Sequence, residues 1–176
     1  MNEPVISRLD RSFKHRILDL YHLCDREYVL PFSERSISAE MMVDDVFKGR
    51  GEFHGILGDW NLQEGRTMGE AIVACCGFDI VGDEHWPNTS GSIVDAEIHG
   101  LAVHPHLRRK GLGRLLIRSI LDCIIDMGGQ IIEAGTWEGS NGISLFQSLG
   151  FKIVRMYEDP HRRPHGCRTV ILEYHR

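Results

Sequence analysis

The chain carries no apolar run long enough to span a bilayer, and its amino-terminal stretch, MNEPVISRLDRSF, lacks the apolar core of an export signal. A cytoplasmic protein with no membrane partner is therefore expected. Cysteine is scarce: there are five, an odd number without framework spacing, and two of them, Cys75 and Cys76, are neighbours in an apolar run. That excludes a disulfide scaffold and points to reduced core thiols. Positive charge is in deficit, with 20 Lys and Arg against 25 Asp and Glu for a net charge of −5, so a general nucleic-acid-binding face is excluded. Repeats and low-complexity tracts are absent, which removes solenoids and linkers from consideration. The remaining composition, 42% hydrophobic and 26% charged, is that of an ordinary globular protein, and 176 residues suffice for one core but not comfortably for two. Residues 1–176 are expected to form a single domain.

Against that acidic background the stretch from Glu97 to Leu121, EIHGLAVHPHLRRKGLGRLLIRSIL, concentrates positive charge: Arg108, Arg109, Lys110, Arg114 and Arg118 fall close together. An apolar strand, Ile98 to Val103, stops at Pro105, which cannot donate a ladder hydrogen bond. Gly111 and Gly113 remove side chains where a helix begins, so backbone N–H groups can approach phosphate oxygens with the helix dipole behind them. Leu115, Leu116, Ile117, Ile120, Leu121, Ile124 and Ile125 give that helix a broad apolar face suited to packing on a sheet. Which anion the turn holds is narrowed by two further absences. There is no G-x-x-x-x-G-K-[ST], and Leu116 stands where a third glycine would complete G-x-G-x-x-G, so P-loop and dinucleotide readings are disfavoured.

What remains, V-x-P followed by R-x-x-G-x-G at Val103, Pro105, Arg108, Gly111 and Gly113, resembles the signature of the GNAT superfamily of N-acetyltransferases. A second segment, NGISLFQSLGF from Asn141, looks like the family's downstream helix ending in L-[YF]-x-x-x-G-F, and the two motifs occur in the family's order. The resemblance covers about Glu70 to Val154. It implies a mixed α/β (α+β) fold: a mostly antiparallel central sheet of six to seven strands, about four flanking helices, and a parallel crossover at the cofactor site. It also implies acetyl-CoA as cofactor. The turn Arg108, Arg109, Lys110, Gly111, Leu112, Gly113 and Arg114 would hold the pyrophosphate, and Leu101, Ala102 and Val103 would offer backbone groups to the pantetheine arm. Asn141 would bond the pantetheine or the 3′-phosphate region, or else cap its helix. Phe146 stands where many members carry a Tyr that donates to the CoA sulfur; a phenyl ring has no proton to give, so the general acid is left unassigned.

The rest of the chain is consistent with that architecture. Val5–Leu9 reads as a short strand, Ser12 as an N-cap for a helix carrying Ile17, Leu20 and Tyr21, and Ser38 as the start of a second helix ended by Gly49 and Gly51. Glu52–Leu57 and Glu70–Ile80 read as an antiparallel pair and Ser92–Val103 as the central strand. Gln130–Thr136 lies parallel to it after a right-handed crossover, and Lys152–Glu158 with Arg168–Tyr174 closes the sheet.

Acetyl transfer to an amine needs a base for the protonated nucleophile. Glu97, four residues before Leu101 on the central strand, is the candidate, with substrate binding or simple ion pairing as its other readings. No metal is expected: His99, His104 and His106, and likewise His161, His165, Cys167 and His175, lack the paired spacing of zinc motifs. Trp137 is read as core packing or a pocket wall. The resulting expectation is an acetyl-CoA-dependent N-acetyltransferase acting directly on a primary amine of a small molecule or peptide. The readings kept beside it are a non-catalytic acyl-CoA-binding or regulatory domain and a binding module for another nucleotide. Edge strands leave room for a homodimer.

Overall fold

The computed structural model describes residues 4–25, 38–49, 51–58, 71–81, 95–158 and 168–176. Seven strands form one sheet: β1 (Ile6–Leu9), β2 (Glu52–Gly58), β3 (Ala71–Ile80), β4 (Ala96–Val103), β5 (Ile131–Trp137), β6 (Lys152–Glu158) and β7 (Arg168–His175). Four α-helices accompany them among the described residues: α1 (Lys14–Asp25), α2 (Ala39–Lys48), α3 (Leu112–Asp126) and α4 (Asn141–Gln147). The strand order is β1-β2-β3-β4-β5-β7-β6, with β4 and β5 parallel and every other neighbouring pair antiparallel. The expected mixed, mostly antiparallel sheet is thus present, with β7 inserted between β5 and β6. No described helix is long and apolar enough to cross a membrane.

The two faces bury different helices. On one, Leu116, Ile117, Ile120, Leu121 and Ile124 of α3 pack against Ala74, Cys76, Phe78, Ile98, Ile132 and Leu172, with Phe146 of α4 and Phe151 completing the core. On the other, Ile17, Leu20 and Tyr21 of α1 and Val43 and Val46 of α2 pack against Phe53, Ile72, Cys75 and Ala102. Helix starts follow local chemistry. The Ser38 side chain accepts from the Met41 N–H, as expected. At α1 the cap differs: Asp10, not Ser12, accepts from the Ser12 N–H and opens a single 3₁₀ turn, Arg11–Phe13, that leads into the helix. Cys24, Cys75 and Cys76 are buried thiols, and burial pushes Cys75 up to about 12. Cys123 is only half-buried, which corrects its reading as a core residue; Cys167 lies outside the described residues.

One irregularity shapes the centre of the sheet. Between Cys75 and Gly77 of β3 the partners on β4 step from Ala102 to His99, so β4 carries an extra residue. Gly100 occupies the bulge with φ +64°, and the Tyr21 hydroxyl donates to its carbonyl at 2.6 Å. The bulge reverses the alternation. Glu97 and His99 face the α1/α2 side, whereas Leu101 and Val103 face α3. A Cβ on Gly100 would meet the Tyr21 Oη at 2.3 Å in a left-handed backbone conformation. Gly100→Ala is therefore expected to cost about 2–4 kcal/mol in urea unfolding, the sum of backbone strain and overpacking. A loss below about 1 kcal/mol would mean that the Tyr21 latch does not shape β4.

Candidate active site

The parallel ladder between β4 and β5 is short. Only Ala96–Ile98 pair with Ile132–Ala134, although the strands run on to Val103 and Trp137. Past Ile98 the two strands part, and beyond the bulge Leu101, Ala102 and Val103 have no strand neighbour on that side among the described residues. Ala102 is 2% exposed and packs in the core beneath α1, so Leu101 and Val103, each half-buried, are the residues of this stretch with surface at the opening. A cleft at the carboxyl ends of adjacent parallel strands is a place where α/β proteins bind cofactors.

The basic turn stands at the end of β4. Pro105–Leu107 form one 3₁₀ turn, after which Arg108 folds back and its Nε donates to the Val103 carbonyl at 3.1 Å. Arg108 thus ties the turn to the strand. Arg109 has φ +64°, a left-handed conformation without glycine, and Gly111 has φ +85°. Such residues curl successive N–H groups into a concave anion site, and the strain at Arg109 marks the turn as one held in shape by its surroundings. The first bond of α3 runs from the Leu115 N–H to the Gly111 carbonyl at 3.0 Å, so the N–H groups of Leu112, Gly113 and Arg114 lie ahead of the helical ladder. A Cβ on Gly111 would meet nothing within 4 Å, which leaves the cradle open. A Cβ on Gly113 would lie 3.3 Å from Leu145 Cδ2, 3.6 Å from Leu101 Cδ2 and 3.7 Å from Val103 Cγ2, so this glycine lets α3, α4 and β4 converge. The residues fit a pyrophosphate group: a concave row of N–H donors with exposed Arg109, Lys110 and Arg114 around it. Arg114 also donates to the Ser148 Oγ at 2.9 Å, joining α3 to the end of α4.

His104 is 4% exposed, and burial, followed by the nearby His106 and Arg108, pushes it below its ordinary value. Phe146 faces the core. It is 5% exposed and packs edge-on against Phe151 with ring centroids 5.0 Å apart, so its side chain belongs to the core. Asn141 is the exposed first residue of α4; the cap is Ser140, whose Oγ accepts from the Gly142 N–H at 2.8 Å. The N-cap reading of Asn141 is therefore replaced.

On the α1/α2 face, Glu97 lies directly opposite Asp79 of β3 and Glu133 of β5, and Glu133 lies opposite Glu173 of β7. Four carboxylates thus form one row across adjacent strands. Like charges so placed repel, and two of the four have a histidine beside them: His99 Nε2 lies 2.7 Å from Asp79 Oδ2, and His175 Nε2 lies 2.9 Å from Glu173 Oε2. Asp79 and Glu133 are 1% and 3% exposed, whereas Glu97 is half-buried beside Gly135. A Cβ on Gly135 would lie 4.0 Å from Glu97 Oε1, so its absence keeps space beside that carboxylate. Further along this face, strand register aligns Trp137, Thr169 and Tyr157. Tyr174 pairs with Ile132 and joins the opposite face. Asp79 and Glu133 were missed from sequence, although a carboxylate inside the apolar runs AIVACCGFDI and IIEAG is itself a signal. Trp60, Trp86, His161, His165 and Cys167 lie outside the described residues.

A split parallel strand pair, a turn whose N–H donors fit phosphate at its mouth and a carboxylate on the neighbouring face suit an enzyme that uses a phosphate-bearing cofactor. Residues 62–153 match the family model described as acetyltransferase (GNAT) domain. An uncharacterised N-acetyltransferase of Bacillus subtilis (strain 168), YvbK, is 29% identical over 123 residues, 64% of this chain and 78% of that protein. Among solved structures, an N-acetyltransferase from Staphylococcus aureus Mu50 superposes with a TM-score of 0.73 at 12% identity, covering 99% of each chain. The yncA structure from Salmonella typhimurium, determined with its cofactor acetyl-CoA, superposes with a TM-score of 0.72 at 17% identity, covering 99% of this chain and 94% of that one. The chain belongs to the GNAT family of acetyltransferases. It is an N-acetyltransferase, and acetyl-CoA is its acetyl donor.

Proposed function

We propose that this enzyme acetylates a primary amine of a cationic small molecule or peptide by direct transfer, with Glu97 as general base. The observation that carries the reading is the placement of Glu97 within the last paired stretch of β4, just before the strands part and one strand-length from the cradle. Leu112, Gly113 and Arg114 would hold the pyrophosphate through their N–H groups, with Arg109 and Lys110 adding charge and Gly111 keeping the approach open. Leu101, Ala102 and Val103 would meet the pantetheine arm through backbone groups, and exposed Asn141 would bond its polar end. Acetyl-CoA supplies an acetyl group activated as a thioester. Glu97 takes a proton from the acceptor ammonium, directly or through one water, and so frees the nitrogen lone pair. Phe146 cannot donate a proton, and Tyr174 lies on the wrong face; of the two phenols on the closing strands, Tyr157 is the one that shares the face of Glu97.

The carboxylate row supports a cationic acceptor. A second ammonium group near Asp79, Glu97 and Glu133 gains on the order of 1–4 kcal/mol from the row, against an acidic acceptor that would be repelled. The Thr169 hydroxyl, buried without a hydrogen-bond partner among the described residues, offers a polar contact on the same face. A thiol-release assay with a diamine, a monoamine and an acidic amino acid tests this. The diamine is expected to exceed the monoamine in kcat/KM by about tenfold. Equal or better turnover of the acidic amine would overturn the acceptor class. A homodimer, also proposed, would be served by β6, an edge strand with Ile153, Val154 and Met156 each at least 40% exposed.

A further inference from the structure

At the far end of α3 from the cradle, three side chains with different ligating atoms converge. Glu52 and His54 project from β2 toward α3, and Cys123 projects back from α3; one ligand atom from each lies within 4.8 Å of the others. His54 is 8% exposed, and its two ring nitrogens have different surroundings. Nδ1 lies 3.1 Å from the Ser119 Oγ, which orients the ring. Nε2 is buried without a hydrogen-bond partner and has Glu52 Oε2 at 3.5 Å. The other Glu52 oxygen, Oε1, is held by Arg8 at 2.9 Å, so Oε2 is the one turned toward the histidine.

We propose that Glu52, His54 and Cys123 bind a divalent transition-metal ion of borderline softness, with zinc the best fit, through Oε2, Nε2 and Sγ. One imidazole, one carboxylate and one thiolate are a zinc donor set, and a fourth position remains for water. The Ser119 contact is the outer-shell bond that fixes the tautomer of a metal-bound histidine, with Nδ1–H donating and Nε2 left to bind. Binding exchanges the Cys123 thiol proton, released to solvent, for a metal–sulfur bond. The ligands come from a strand and a helix far apart in sequence, which is why no local motif announces them. Cys123 lies ten residues beyond Gly113, about 15 Å along the helix, so the ion is remote from acetyl transfer. Its effect is to clamp α3 to β2.

The test is titration of the chelator-treated protein with Co²⁺, read by absorption. One cobalt per chain is expected, with a thiolate-to-cobalt charge-transfer band and the intense visible bands of a four-coordinate site. Cys123→Ser, a mild change at a half-buried helix position, should abolish the charge-transfer band. Glu52→Gln and His54→Gln should weaken binding, and Ser119→Ala should lower affinity roughly tenfold to hundredfold. Circular dichroism in chelator confirms that each variant is folded. Zinc should displace the cobalt and raise the Tm of the wild type but not of Cys123→Ser. Absence of cobalt binding would overturn the proposal. So would a charge-transfer band that survives Cys123→Ser and disappears in Cys167→Ser, which would assign the thiolate to the carboxyl-terminal His/Cys segment.

Discussion

Glu97→Gln is expected to lower kcat by about 10²–10⁴-fold while acetyl-CoA affinity stays within about twofold, because the substitution removes a base and leaves the cradle untouched. Glutamine keeps the volume of the side chain beside Gly135 and can still hydrogen-bond, so the fold of the β4 face should survive. What it cannot do is accept a proton from an ammonium group. The acceptor is protonated at neutral pH, and without Glu97 only the small unprotonated fraction can react. Activity of the variant should therefore climb with pH toward the amine's own pKa, narrowing the gap to the wild type in alkaline buffer. A residue that only supports the strand would shift KM or stability without that change in pH profile. Removing one charge from the row should also raise KM for a diamine more than for a monoamine, since Asp79 and Glu133 would then face the second ammonium without their central partner. Unchanged turnover in neutral buffer would sink the base assignment while leaving the family membership intact.

Local features were legible and partnerships were not. Pro105, Gly111 and Gly113 and the apolar face of α3 act within a few residues of themselves, so the strand, turn and helix could be read together, and Lys152–Glu158 was bounded correctly by Phe151 and the polar loop. The position of β7 between β5 and β6 depends on pairing across long separations, which a strand's own alternation does not specify. At the amino terminus Asp10 and Ser12 are both competent caps, and only the 3₁₀ turn that precedes α1 decides between them. Gly100 carried a usable sign, since an isolated glycine within a strand marks a bulge. Its consequence, the switch that sends Leu101 toward α3 and keeps Glu97 on the other face, required the register with β3. The carboxylate row has the same origin. Asp79, Glu97, Glu133 and Glu173 are unremarkable in four separate strands and become one electrostatic feature only when the sheet aligns them.

Gly111→Asp should weaken acetyl-CoA binding by roughly a hundredfold or more, measured by calorimetric titration, for two physical reasons that act together. First, the cradle recognises charge through short-range donors. Hydrogen bonds to an ionised partner are worth about 1.5–3 kcal/mol each, so spoiling two of them costs on the order of 3–6 kcal/mol of affinity. A carboxylate at residue 111 would occupy the open space that a Cβ meets first, and it would compete for the N–H groups of Gly113 and Arg114 as an internal cap. Second, it places negative charge where the helix dipole and Arg109 now favour a phosphate. The folded state should tolerate the change. Nothing lies within 4 Å of the new Cβ, and Asp is among the residues least penalised at φ +85°. Gly111→Asn separates the terms, since it has the same shape and conformational preference without the charge. If phosphate repulsion dominates, Asn should retain most of the affinity that Asp loses, and the Asp defect should shrink as salt rises. Equal loss in both variants would assign the effect to N–H competition or backbone geometry rather than to charge. Normal affinity in both would show that the pyrophosphate is held somewhere other than this turn.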